Sequence, residues 1–150
     1  METISSSMAN PSGHTNPEVE GKKIWNATQH AATAEQIQQG MVDLPAELRT
    51  QLSELLTFEE LPSAAMLRTR SIAVIGLLAV AGAKCGDRVM IGGAPFLMEE
   101  LSHSCREIGF VPTFAFSRRE SVEKVMPDGS ITKTAVFRHL GFVEPEPPQP

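Results

Sequence analysis

Three short apolar runs, each ending in a polar cluster, constrain this chain more than any other feature. Lys23-Ile24-Trp25-Asn26-Ala27 leads into Thr28-Gln29-His30. Arg88-Val89-Met90-Ile91 leads into Gly92-Gly93-Ala94-Pro95, and Val111–Phe116 into Ser117-Arg118-Arg119-Glu120. Helical segments follow the first two clusters. Strands alternating with helices predict an open, largely parallel α/β sheet. Ligands of such sheets bind outside the carboxyl ends of the strands. The three clusters are therefore expected on one rim, where an imidazole, hydroxyls, two guanidiniums and backbone amides suit a phosphate-bearing ligand.

The segments between the runs fit that frame. Thr33-Ala34-Glu35-Gln36 has capping-box spacing, and Gly40 can end the helix it starts. Met41–Leu44 reads as a short strand, and Pro45 as the first residue of a helix. Leu44, Leu48, Leu52, Leu55 and Leu56 recur at helical spacing. Ser63 is expected to cap a long helix reaching about Lys84, with Gly76 and Gly82 as weak points. Its second half is apolar nearly all round and needs cover on every side. Pro95–Ile108 reads as an amphipathic helix with Phe96, Leu97, Leu101, Cys105 and Ile108 as its buried stripe. After Val111–Phe116 the period changes to two. Glu120–Val125 and Ile131–Phe137 alternate around Pro127-Asp128-Gly129-Ser130, a turn signal. The expected fold is α/β: a Rossmann-like parallel sheet with flanking helices and a C-terminal β-hairpin.

Length sets the domain plan. The chain has 150 residues, enough for one domain. Residues 1–21 are rich in Ser, Asn, Pro, Gly and Glu and are expected to be a disordered tail. Residues 22–143 form the nucleotide-binding domain, and 144–150 a proline-rich tail. Met1–Ser7 has neither a basic end nor an apolar core, so no signal peptide is expected. The longest apolar stretch, Ile72–Ala83, is short of the roughly twenty residues a bilayer span requires. The expectation is a cytoplasmic protein without membrane partners.

The formal charge of −5 is concentrated at the ends. Without Glu2, Glu18, Glu20, Glu144 and Glu146 the span 21–143 is neutral, so broad attraction to duplex DNA is not expected. The two cysteines, Cys85 and Cys105, match no zinc spacing and read as reduced. No His pair at helical spacing with a carboxylate and no aspartate cluster appears, so no metal site is expected. There is no Gly-x-Ser-x-Gly elbow.

Each candidate residue has two readings. His30 either caps nearby backbone or transfers a proton at a strand end. Thr28 and Gln29 either bond the loop or contact ligand. Asn26, unusual within a strand, is placed facing the rim. Gly92 and Gly93 either form a tight strand-to-helix turn or let a phosphate approach helix amides. Ser117, Arg118 and Arg119 either form a solvated pair of charges or a bidentate phosphate clamp. Adjacent residues on extended chain point oppositely, so one Arg is expected to face the rim. His139 reads equally as a packing residue of the hairpin.

Together, Val89-Met90-Ile91-Gly92-Gly93, Gly109–Glu120, and Pro127–Ser130 followed by Val136–Phe142 resemble the small Rossmann-like standalone ring nucleases associated with type III CRISPR systems. Ile24–His30 with Thr33–Gln36 looks like that family's first strand and helix. Gly93-Ala94-Pro95-Phe96 departs from its glycine turn, and the N-terminal tail is additional. The resemblance implies cleavage of a cyclic oligoadenylate second messenger in antiviral defence, without metal or cofactor. A ribose 2′-hydroxyl would attack its own 3′ phosphodiester and leave a 2′,3′-cyclic phosphate. His30 would move a proton, and Arg118 or Arg119 with the Gly92-Gly93 amides would stabilise the phosphorane. A homodimer formed through the apolar helix suits an even-numbered ring. The alternatives are a nucleotide-binding sensor that does not cleave, and an interaction protein with a vestigial rim.

Overall fold

A computed structural model describes residues 23–147. The expected disorder of 1–21 and the last tail residues, 148–150, lie outside that span. The elements are β1 (Ile24–Asn26), α1 (Ala34–Gln38), β2 (Met41–Val42), α2 (Ala46–Leu56), α3 (Ala64–Ala81), β3 (Arg88–Met90), α4 (Pro95–Glu107), β4 (Val111–Val125) and β5 (Ile131–Val143). They form one five-stranded sheet in the order β2-β1-β3-β4-β5. The first four strands are parallel, and β5 runs antiparallel to β4. The Rossmann-like architecture with a C-terminal hairpin is therefore present.

Local chemistry explains where the helices begin. Thr33 and Gln36 close a capping box: the Gln36 amide donates to Thr33 Oγ1 at 3.2 Å, and the Thr33 amide to Gln36 Oε1 at 3.0 Å. Ser63 Oγ accepts from the Met66 amide at 3.1 Å and starts α3. Gly82 ends α3 before Lys84, and Gly76 leaves it unbroken. Pro45, expected as the first helical residue of α2, is instead its N-cap, and the helix starts at Ala46.

Strand order dictates where a ligand can bind. From β1 the chain crosses left to β2, then returns past β1 to β3. Right-handed crossovers in opposite directions place their helices on opposite faces. Accordingly α2 packs on α3 and α3 on α4, whereas α1 meets β2 and β5. The reversal between β1 and β3 is the topological switch point, where adjoining loops diverge and leave a crevice.

The core lies between the sheet and α2–α4. Trp25, Val89 and Ile91 of the sheet region meet Leu52, Val74, Leu78 and Leu101. Trp25 Nε1 donates to buried Asp87 Oδ2 at 3.0 Å, and the Lys84 amide donates to the same oxygen at 2.9 Å. In α4, Leu97, Leu101 and Cys105 are buried at intervals of four. Phe96 and Ile108 were expected in that stripe but are 46% and 45% exposed. Phe96 points about 100° away from the line through Leu97 and packs edge-on against Phe58 at 5.2 Å. Ile108 is the C-cap, beyond the last turn.

In α3, Ser71, Val74 and Leu78 enter the core, while Ile72 and Val80 stay 59% and 76% exposed. By length and composition this helix would suffice to cross a membrane, but in this fold its inner face packs on the sheet.

The third polar cluster is not a loop at the rim. Ser117-Arg118-Arg119-Glu120 lies inside β4, because β5 pairs with it as far as Val125 opposite Ile131. Phe116 lies opposite Gly141 and Ser117 opposite His139, so Leu140 is an extra residue in a bulge. Beyond it the ribbon curls back: His139 Nε2 lies 2.9 Å from Gln39 Oε1, beside α1. The start of the proline tail is also tied down, since Arg88 pairs with Glu144 and Arg106 donates to the Pro145 carbonyl.

Candidate functional site at the β1–β3 switch point

A cavity of about 360 Å³ opens at the switch point. Thr28, Gln29 and His30, from the loop after β1, form one wall. Gly92, Gly93 and Ala94, from the loop after β3, form the opposite wall. Met90, Leu56 and Leu97 supply an apolar floor, and Thr33 and Gln36 of α1 complete the polar side. Two of the three expected clusters thus meet.

Asn26 holds the first wall. It is buried, and its side chain is used entirely within the protein. Its Oδ1 accepts from the Thr28 amide at 3.0 Å and from Thr28 Oγ1 at 2.7 Å. Its Nδ2 donates to the His30 carbonyl at 2.7 Å and to Asp43 Oδ1 at 2.8 Å. Asn26 therefore shapes the loop from beneath instead of facing a ligand. Asp43 also accepts from the Ala32 amide at 3.1 Å. Sequence reading missed Asp43, although its place just beyond the carboxyl end of β2 is the available signal. Gln29 is anchored too: its Nε2 donates to Thr57 Oγ1 at 2.8 Å, which ties the loop to the end of α2. His30 lines the cavity, and its ring makes no hydrogen bond among the described residues.

The second wall is a backbone site. Gly93 has φ +108°, a conformation only glycine adopts without strain, and nothing lies within 4 Å of where a Cβ would stand. At Gly92 an added Cβ would lie 3.4 Å from Thr28 Cγ2, so the two loops already touch. Ala94 caps α4 without a side-chain bond. Pro95 carries no N–H, and the Leu97 and Met98 amides donate to the Ala94 carbonyl at 3.0 and 2.9 Å, so the Phe96 amide is the first-turn donor left at the positive end of the dipole, a setting that attracts an anion.

The chain belongs to the uncharacterized protein MJ1673 family. The family model matches residues 22–143, the same span the sequence reading marks as the domain. No curated protein and no solved structure matches the chain.

In this family member the third cluster stays out of the cavity. Ser117, Arg118 and Arg119 are not among the lining residues. Arg118 Nη2 lies 2.8 Å from Glu120 Oε2, and Arg138 Nε lies 3.0 Å from Glu120 Oε1. These bonds, the one from Arg118 first, hold the Glu120 carboxyl below its usual range. Arg119 stands opposite Phe137 on the other face of the ribbon, so the two arginines do point apart as alternation requires. A separate hollow of about 480 Å³ is lined by Glu54, Glu59, Glu60 and Arg70. There Arg70 donates to the carbonyls of Leu55 and Thr57 and lies over the Phe58 ring, which caps the end of α2.

Proposed function

We propose that the switch-point cavity binds a phosphate-bearing adenine nucleotide, and that the protein is a metal-independent ring nuclease for a cyclic oligoadenylate. One observation carries the reading: His30 and the uncapped, glycine-led N-terminus of α4 line one cavity of about 360 Å³. That volume falls in the range of small-ligand sites, roughly 300–1,000 Å³. The apolar floor of Leu56, Met90 and Leu97 suits a base, and the glycine amides suit a phosphate.

The chemistry needs little from the protein beyond position and charge. The substrate's 2′-hydroxyl oxygen bonds to the adjacent phosphorus, and the bond from phosphorus to the 5′ oxygen breaks. His30 takes the hydroxyl proton or gives one to the departing 5′ oxygen, and solvent water serves the other transfer. The Gly92–Gly93 amides and the α4 N-terminus offset the charge on the phosphorane. The products are a 2′,3′-cyclic phosphate and a 5′-hydroxyl.

The alternative is a nucleotide sensor that binds without cleaving. It is favoured by the position of Arg118 and Arg119, which leaves no guanidinium among the residues lining this cavity. In either reading the protein acts in the cytoplasm as a homodimer joined through the outer face of α3.

Incubation with labelled cyclic tri-, tetra- and hexa-adenylate in EDTA tests these readings. Linear products ending in a cyclic phosphate support the nuclease. A stable complex with intact ring supports the sensor. No binding to any ring overturns both.

A further inference from the structure

We infer that the site extends past Gln29 into a second subsite built around Arg49, so that its ligand is a ribonucleotide carrying more than one phosphate. The inference rests on the nucleotide reading of the switch-point cavity. Thr28 and Gln29 line that cavity and also a second, shallower one of about 510 Å³. Arg49, Thr50, Ser53 and Glu54 of α2 form its other side. A chain leaving the first cavity past Gln29 enters the second directly. Gln29 is a fixed divider, because its amide is held at 2.8 Å by Thr57 and at 3.3 Å by the Ser53 carbonyl.

The chemistry of the second cavity is that of a nucleotide backbone. Arg49 is exposed and, like Arg68 and Arg119, has no ion-pair partner among the described residues, whereas Arg88, Arg118 and Arg138 are paired. Arg70 and Arg106 donate to carbonyls elsewhere. Of the two cavities that share Gln29, only the second is lined by an arginine. A guanidinium offers a bidentate fork to a phosphate. Glu54 supplies acceptor oxygens, which suit ribose hydroxyls. Together they favour a phosphate and a ribose one unit along from the nucleotide in the first cavity. Arg49 was not singled out in the sequence because it lies mid-helix, remote from every strand end.

Calorimetric titration in EDTA with adenosine monophosphate and with the linear dinucleotide pApA tests the subsite. The protein should bind pApA at least about tenfold more tightly than the monophosphate. Arg49→Met should weaken pApA by about 10–100-fold, the range expected for a charged hydrogen bond, and leave the monophosphate within twofold. Arg49→Lys should recover part of the loss, and the deoxy analogue of pApA should bind more weakly. Equal affinities for the two ligands in the unaltered protein would overturn the subsite. So would an Arg49→Met variant that changes both ligands alike or neither. Either result, with the monophosphate still bound, leaves the first cavity standing. Failure of the monophosphate to bind at all sinks the nucleotide reading and the subsite with it.

Discussion

Asn26 and Asp43 are joined across the first crossover, with Asn26 Nδ2 donating to Asp43 Oδ1 at 2.8 Å. The bond links the end of β1 to the segment after β2 and fixes the loop carrying Thr28, Gln29 and His30. Asn26→Leu removes four bonds and leaves the His30 carbonyl and Asp43 short of a partner. An unsatisfied buried polar group costs about 1–3 kcal/mol. Urea denaturation should show a loss in that range. At concentrations where the variant is folded, nucleotide affinity should fall as well, because the wall is no longer held. Unchanged affinity would show that the loop does not need this anchor.

His30→Ala should lower the rate of ring opening by roughly 10²–10⁴-fold, the usual contribution of a positioned acid or base. Binding should change little, since the ring makes no hydrogen bond that holds the loop. Single-turnover kinetics beside equilibrium binding separates the two effects. A loss of binding with an unchanged rate would make His30 a contact residue.

Arg118→Ala and Arg119→Ala should both leave monophosphate affinity within about twofold, because neither side chain reaches the cavity. Arg118→Ala should leave stability almost unchanged, because exposed ion pairs contribute little. The trio of Arg118, Glu120 and Arg138 also has a pH sign. Glu120's folded pKa lies below its unfolded value, so its stabilisation is present above the unfolded pKa and is lost as pH falls through the folded one. Protection factors of the β4 and β5 amides, corrected for the intrinsic slowing of exchange in acid, should fall as pH is lowered, and added salt should blunt the difference.

Gly109→Ala should be costly for two reasons. The position has φ +87°, and a Cβ there would clash with Cys85 Sγ. The left-handed conformation alone costs a non-glycine residue about 1–2 kcal/mol. Adding Cys85→Ala should recover the part due to the clash and no more. A double variant as unstable as Gly109→Ala would assign the whole cost to the backbone.

Light scattering should give twice the 16.3 kDa chain mass if α3 pairs with its mate. Ile72→Asp or Val80→Asp should return the mass to one chain with the circular dichroism unchanged, since both side chains face outward. A single-chain mass for the unaltered protein, with or without nucleotide, would defeat the dimer.

How much of this was legible in the chain differs from element to element. Period and capping chemistry are local, so the strand–helix alternation, the Thr33–Gln36 box, the Ser63 cap and the hairpin turn at Asp128 could all be read from neighbouring residues. The Asp128 turn shows why: its Oδ1 accepts from the Ser130 amide and hydroxyl, two residues away. Likewise, a polar cluster just after a parallel strand sits on the carboxyl rim by covalent continuity alone, which is why Thr28–His30 and Gly92–Gly93 were found. What the sequence could not decide depended on partners distant along the chain. Asn26 turned inward because Asp43 and the His30 carbonyl waited there. Ser117–Glu120 became strand instead of rim loop because β5, returning from the turn, satisfied its backbone and supplied Arg138 to Glu120. Arg49 shares a cavity with Gln29 because the Gln29 amide is tied to Ser53 and Thr57 at the end of α2. Local propensity and pattern settled the elements and their order. Only the tertiary structure decided which side chains share a cavity, because that depends on burial and hydrogen bonds between residues that the chain itself keeps far apart.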